Sequence, residues 1–226
     1  VFASNRHVYA DGALEDAPQE KDLSAHVDIY VMQSDGSAVQ RLTTTPGYDG
    51  GPFFSPDGKR IVWRRFSLEG SVAEVWTMRT DGSDQRQITS LNSMSWAPFY
   101  HPSGDYIIFT TNLHGHENFE LYIVDTEGKS QPVRVTTTEG FDGLPSFHPN
   151  GVTLSWTSTR GSGDGAQIFL SDWDDEEARC MLGLESARAE PARTAKQCLL
   201  RRTVSTLASK TMAGRMTGSA GEILAT

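Results

Sequence analysis

Cysteine is nearly absent from this 226-residue chain: there are two, Cys180 and Cys198, both late in the sequence. Neither belongs to a CxxC pair or a Cys/His cluster, which argues against a cysteine-based metal site and leaves open whether the two pair with each other. Long apolar runs are missing too, and none approaches the ~20 residues that a membrane-crossing helix needs. The opening "VFASNRHVYADG" has neither the basic start nor the apolar stretch of a signal peptide. Catalytic signatures are lacking as well. There is no G-x-S-x-G elbow, no HExxH, no glycine-rich phosphate loop and no arguable Ser/His/Asp constellation, and "GSGDG" (161–165) reads as a flexible turn. The repeated "DG" pairs lack the D-x-D-x-D-G spacing of a calcium loop.

A basic excess is also missing. The chain carries 20 Lys and Arg against 29 Asp and Glu; residues 174–226 hold eight and seven of these, which leaves 12 against 22 in the first 173 residues. Such a surface repels phosphate backbones, so nucleic acid and anionic membranes are excluded as expected partners. What is present is an ordinary globular mix, 37% hydrophobic and 22% charged, enough to build a sizeable core.

The chain also has repetition. "GPFFSPDGKRIVWRRF" (51–66), "APFYHPSGDYIIFTTN" (97–112) and "LPSFHPNGVTLSWTST" (144–159) place Pro56, Pro102 and Pro149 in register, 46 and 47 residues apart. A second motif keeps the same period: "DIYVMQSDGS" (28–37), "EVWTMRTDGS" (74–83), "ELYIVDTEGK" (120–129) and a shortened "QIFLSDW" (167–173). Each unit holds four short runs of β-branched and aromatic residues, joined by tight-turn sequences such as "SPDG" and "TDGS". Four antiparallel strands every ~45 residues predict the blades of a β-propeller. The expected fold is therefore all-β: an incomplete propeller of about three full blades plus partial ones, followed by an α-helical linker. "VFASNR" corresponds to the second strand of a unit, so both ends read as cut and the piece is not expected to close a ring.

In an up-and-down blade alternate connections emerge at opposite ends. "SPDG" and "TDGS" then share one mouth, and the longer connections share the other: "TTTPGYDGG" (43–51), "SLNSMSWA" (90–97), "TTTEGFDGL" (136–144), "SLEGSVA" and "NLHGHEN". Binding residues concentrate on such loops. The candidates there are Tyr48, Asp49, Trp96, His114, His116, Phe141 and Asp142. The recurrence of "YDGG" and "FDGL" also fits a turn held by an Asx-type hydrogen bond. His114 and His116 flank a glycine without carboxylates in a defined geometry and read as a solvated polar loop, so no metal site is expected. Phe54, Tyr100 and Phe147 recur in register and read as packing between blades.

The "SPDGK" and "IYVM–DG" elements resemble the repeats of TolB-type propellers over residues 1–173. Residues 174–226 differ in composition. "DDEEARC" opens with four carboxylates, favourable at a helix N-terminus, and "PARTAKQCLLRRTVSTLAS" (191–209) predicts a second, amphipathic helix. The last stretch, "TLASKTMAGRMTGSAGEILAT" (206–226), resembles the opening segment of secreted zinc aminopeptidases of the bacterial leucyl type. The matching residues are Leu207, Ala208, Ser209, Gly214, Arg215, Thr217, Gly218, Gly221, Glu222 and Ala225; Lys210 stands in place of an acid and Ala220 in place of proline. This resemblance implies a propeller, 1–173, and a linker with a truncated peptidase start, 174–226, from an exported metallo-aminopeptidase. The fragment would carry no catalytic residue and no cofactor, and zinc would be held by a peptidase domain absent from it. Its partners would be proteins or peptides and its location periplasmic or secreted. The alternative that the same resemblance carries is a TolB-like periplasmic module that docks other proteins without enzymatic activity. A serine peptidase of the prolyl-oligopeptidase kind also uses a propeller, but the tail has no nucleophile elbow.

Overall fold

The computed structural model describes residues 1–8, 26–161 and 165–184. Strands β1 (Phe2–Ser4), β2 (His26–Val31) and β3 (Gln40–Arg41) form a first antiparallel sheet. The second sheet is β4 (Gly47–Phe54), β5 (Arg60–Phe66), β6 (Ala73–Arg79) and β7 (Arg86–Gln87), paired in chain order. The third repeats this with β8 (Ser95–Tyr100), β9 (Tyr106–Thr111), β10 (Glu120–Asp125) and β11 (Val133–Arg134). The fourth has three strands, β12 (Asp142–Phe147), β13 (Thr153–Ser158) and β14 (Gln167–Asp172). Two sheets are thus complete blades and two have three strands each. Helix α1 (Asp175–Met181) follows β14 directly.

The sequence turns take the shapes their residues demand. In "SPDG", Asp57 Oδ1 accepts from Ser55 Oγ at 2.6 Å and Lys59 N at 3.0 Å, and Gly58 sits at φ +70°, a left-handed backbone that glycine enters without steric cost. Gly104 (φ +80°) and Gly151 (φ +74°) repeat it.

The core lies between sheets rather than within one. Ile29, Leu42, Ile61, Trp63 and Met78 fill the space between the first and second. Val62, Val75, Tyr100, Ile107, Phe109, Tyr122 and Val124 fill the next, and Leu121, Ile123, Phe147, Leu154 and Trp156 the last. Period-2 alternation explains this: Tyr122 and Val124 face the second sheet while Leu121 and Ile123 face the fourth. Tyr100 and Phe147 are buried in these layers, whereas Phe54 is 43% exposed. On β14 the positions equivalent to Leu121 and Ile123 are Ile168 and Leu170, which are 78% and 72% exposed.

Helix α1 closes the tight-turn end of the last layer. Asp174 caps it by accepting from Glu177 N, acids fill its first turn, and Ala178 and Leu182 join the core beside Trp173. Asp175 Oδ1 accepts from the Tyr106 hydroxyl at 2.8 Å, and Arg179 pairs with Asp105. His101 stacks on Tyr106 and bonds Gly151 O through Nε2 at 2.9 Å, with Asp175 3.5 Å from Nδ1. Cys180 is disulfide-bonded. The amphipathic segment 191–209 and the aminopeptidase-like segment 206–226 lie outside the described residues.

Each first strand carries a β-bulge with one residue in the left-handed region: Gly51 (φ +62°), Ala97 (φ +50°) and Leu144 (φ +55°). Leu144→Gly is expected to leave stability unchanged or raise it by up to about 1 kcal/mol. Gly128→Ala should lose about 2 kcal/mol, because φ is +67° and the new methyl would meet Ile88 O at 2.8 Å. Urea unfolding of both variants checks this. Burial holds the His101 pKa below its ordinary value of 6.5, outweighing the bond to Gly151 O and the nearby Asp175 and Asp105. The unfolded chain therefore takes the proton first, and stability present above about pH 6.5 is lost as the pH falls below it. A urea midpoint that drops from pH 7.5 to 5.5 less in His101→Gln than in the parent is the expected result.

Candidate binding mouth

The wide-loop end is held by one buried arrangement made three times. Within the first three residues of the third strand of a unit stands an acid: Asp28, Glu74 and Glu120, all buried. In each, a threonine from just after the fourth strand donates its hydroxyl to the carboxylate and accepts the next backbone N–H. Thr43 joins Asp28 and Ile29 N, Thr89 joins Glu74 and Val75 N, and Thr136 joins Glu120 and Leu121 N, the three N–H···Oγ1 bonds being 2.9 Å each. Arg41 and Arg134 neutralise the first and third acids. Glu74 instead accepts Leu91 N and Asn92 N at 2.8 Å, which fixes the loop leading into the next sheet. A buried charge needs such partners.

Beside each acid, neighbouring sheets touch through a short parallel bridge: His26 and Val27 with Gly47 and Tyr48, Ala73 with Met94, and Phe119 with Phe141. Bonds such as Phe119 N to Gly140 O at 2.9 Å and Asp142 N to Phe119 O at 2.8 Å complete it.

Tyr48, Asp49, Trp96, His114, His116, Phe141 and Asp142 occupy different settings at this end. Asp49 and Asp142 lie in strands rather than in a turn, and both are buried. An Asx turn is therefore not what the recurring "YDGG" and "FDGL" encode. Asp49 accepts the Trp63 indole N–H at 3.0 Å and a two-pronged Arg65 guanidinium at 2.7 Å; Asp142 accepts the Trp156 indole N–H at 3.2 Å and Arg160. Arg65 also lies 4.5 Å over the Trp76 ring, and Arg160 5.2 Å over Trp156. The third sheet does without the charge, with Ser95 and Thr111 hydrogen-bonded at 3.2 Å.

Tyr48, Trp96 and Phe141 remain partly exposed and near one another's level at the mouth. Trp96 packs edge-on to Phe119 at 5.7 Å and against Phe141 at 6.2 Å, and Phe119 and Phe141 are 5.7 Å apart. Arg64 reaches between Tyr48 (5.3 Å) and Trp96 (5.9 Å). The glycines of "YDGG" and "FDGL" make room for their own aromatics: a methyl on Gly143 would sit 2.5 Å from the Phe141 ring, and one on Gly50 would overlap Tyr48. Trp96 occupies the register position of those glycines, in the sheet where Met94 replaces the aromatic.

His114 and His116 diverge. His114 Nε2 meets the Tyr122 hydroxyl at 2.5 Å, while His116 lines a cleft of about 500 Å³. Gly70, Ser71, Asn92, Met94 and Asn112 form its other walls, between the loops of the second and third sheets. Among the described residues no three His, Cys, Asp or Glu side chains gather in a group suited to a metal ion, and no helix is long and apolar enough to cross a membrane.

Sequence reasoning overlooked the buried acids and Arg64. The acids had a signal, since each precedes the aromatic of "DIY", "EVW" or "ELY" and is followed 15 or 16 residues later by threonine. Arg64 had none, because only the packing tells it apart from Arg65.

No family profile and no curated protein matches the sequence. Solved structures do. TolB from Acinetobacter baumannii is 23% identical with a TM-score of 0.54, over 65% of this chain and 35% of that one. A TolB assigned to Agrobacterium tumefaciens is 23% identical with a TM-score of 0.55, over 65% of this chain and 53% of that one. Dipeptidyl peptidase 4 from Porphyromonas gingivalis gives 14% and 0.51, over 69% of this chain and 22% of that one. The fold is a β-propeller. The chain spans between about a third and a half of the length of the TolB structures it matches.

Asp142→Ala is expected to cost about 3 kcal/mol, because Trp156 and Arg160 lose their acceptor in a buried site. Trp96→Ala, at a part-exposed ring, should cost less than half of that. Urea denaturation of the two variants compares them directly.

Proposed function

We propose that this chain is a noncatalytic propeller that holds a protein or peptide at its wide-loop mouth. In the fuller reading it is the substrate-recruiting part of an exported zinc aminopeptidase, working in the periplasm or outside the cell. The observation that supports binding is the part-exposed aromatic group of Tyr48, Trp96, Phe119 and Phe141, on strands whose ends are tied by buried acids. Rings kept at a surface by a rigid frame bind at small entropic cost. The aminopeptidase parentage is supported by the "LASK…GRMTGSAGEILA" resemblance, and the zinc of such an enzyme would belong to its peptidase domain. A second reading is a TolB-like periplasmic docking module without enzymatic activity; the fold's similarity to TolB favours it.

Two experiments test the proposal. A photoreactive phenylalanine analogue placed at Trp96, and separately at Asp57 on the tight-turn end, is illuminated with biotinylated peptides from a casein digest. Labelling at position 96 with little at 57 is expected; equal labelling, or none, would count against a binding mouth. The coding sequence past Thr226 decides the parentage: a His/Asp/Glu zinc-ligand pattern supports the peptidase, and further blades overturn it.

A further inference from the structure

Among the described residues Arg64 meets no carboxylate at the mouth, and it differs from the likewise unpaired Arg6, which is exposed over Phe2 and Tyr30, in being partly buried between rings. Asp28 holds Arg41, Glu120 holds Arg134, Asp49 holds Arg65 and Asp142 holds Arg160. Arg64 stands next to Arg65 in the chain, points to the opposite face of β5, and makes one hydrogen bond, from Nη2 to the Tyr48 hydroxyl at 3.2 Å. Its Nε is buried and finds no partner. The Nη donors not bonded to Tyr48 have no partner among the described residues and lie on the part-exposed side, where two aromatic rings hold the plane of the guanidinium in position.

An arginine fixed between aromatic faces and short of an acceptor suits a planar anion that takes two parallel hydrogen bonds. The apolar surface adjoins it directly, since Trp96 touches the guanidinium on one side and the Phe119–Phe141 pair on the other. In an extended peptide, neighbouring side chains point to opposite faces, so an acidic residue and an apolar residue next to it cannot both reach this patch. A C-terminal residue carries a carboxylate and its own side chain on one α-carbon, a few bonds apart.

We propose that Arg64 anchors the α-carboxylate of a peptide C-terminus whose last, apolar side chain lies on Trp96 and Phe141. This rests on the mouth being a peptide-binding site and adds to it which part of the peptide is read. The chain carries 29 Asp and Glu against 20 Lys and Arg, so Arg64 is a local point of attraction for an anion on an otherwise acidic surface.

Fluorescence anisotropy tests it with three N-terminally labelled probes: Ala-Ala-Ala-Phe as the free acid, the same peptide as its C-terminal amide, and Ala-Glu-Ala-Phe amide. The full chain is expected to bind the free acid at least tenfold more tightly than either amide, with the advantage shrinking as salt rises. Arg64→Met keeps the apolar stem and should equalise acid and amide, while Trp96→Ala should weaken both. Acid and amide binding alike to the unaltered chain, with Trp96 still required, overturns the carboxylate anchor and leaves the mouth intact as a binding site. A preference for the glutamate amide that depends on Arg64 overturns the choice of the C-terminus. Failure of all three probes to bind up to millimolar concentration overturns both the anchor and the peptide-binding reading. The comparison of probes on the unaltered chain stands even where a variant folds poorly.

Discussion

The whole mouth depends on burying three carboxylates and satisfying each of them. Asp28, Glu74 and Glu120 lie where the third strand of a unit begins and where the next sheet makes its parallel contact. A buried acid without partners would cost several kcal/mol, and here a threonine, an arginine or a pair of loop amides meets each one. The partners come from the fourth strand and from the loop beyond it, so the carboxylate gathers the outer strand, the third strand and the exit loop at one point. The wide loops therefore leave a rigid base, and the aromatic group above them keeps its shape without burying itself.

A second constraint is set along the first strand. The bulges at Gly51, Ala97 and Leu144 re-aim the residues on either side, and two of the three put a side chain where glycine is preferred. The sheets thereby bring Asp49, Ser95 or Asp142 inward and the neighbouring aromatic toward the opening. Charge follows the same division. Arg65 and Arg160 are consumed by buried acids, and Arg64 is not. The chemical character of the opening is decided by which of two adjacent arginines meets a carboxylate.

Most of the architecture was legible because a propeller repeats. Pro56, Pro102 and Pro149 set the register, and the turn residues around them specify their own backbone. The placement of Tyr48, Trp96 and Phe141 near one mouth followed from strand count alone. The roles of Asp49 and Asp142 did not, since the same "DG" pair that makes a turn in solvent also tolerates a strand when an indole N–H and a guanidinium wait on the next strand. His114 and His116 were alike in sequence and separate only through Tyr122, six or eight residues further on. Long-range partners of this kind leave no trace in local spacing.

Ile168 and Leu170 carry a further meaning. They match Leu121 and Ile123, which are wholly buried against the neighbouring sheet; Val75 and Thr77 hold the same places in the second sheet, so the units offer faces of the same register and similar, mostly apolar character. Such self-matching makes the unit a currency of growth: a duplicated stretch of gene slots into the series without inventing a new contact, and a deleted one leaves surfaces that still fit. Change of ring size by whole repeats is then a small evolutionary step, while insertion of half a repeat is a large one.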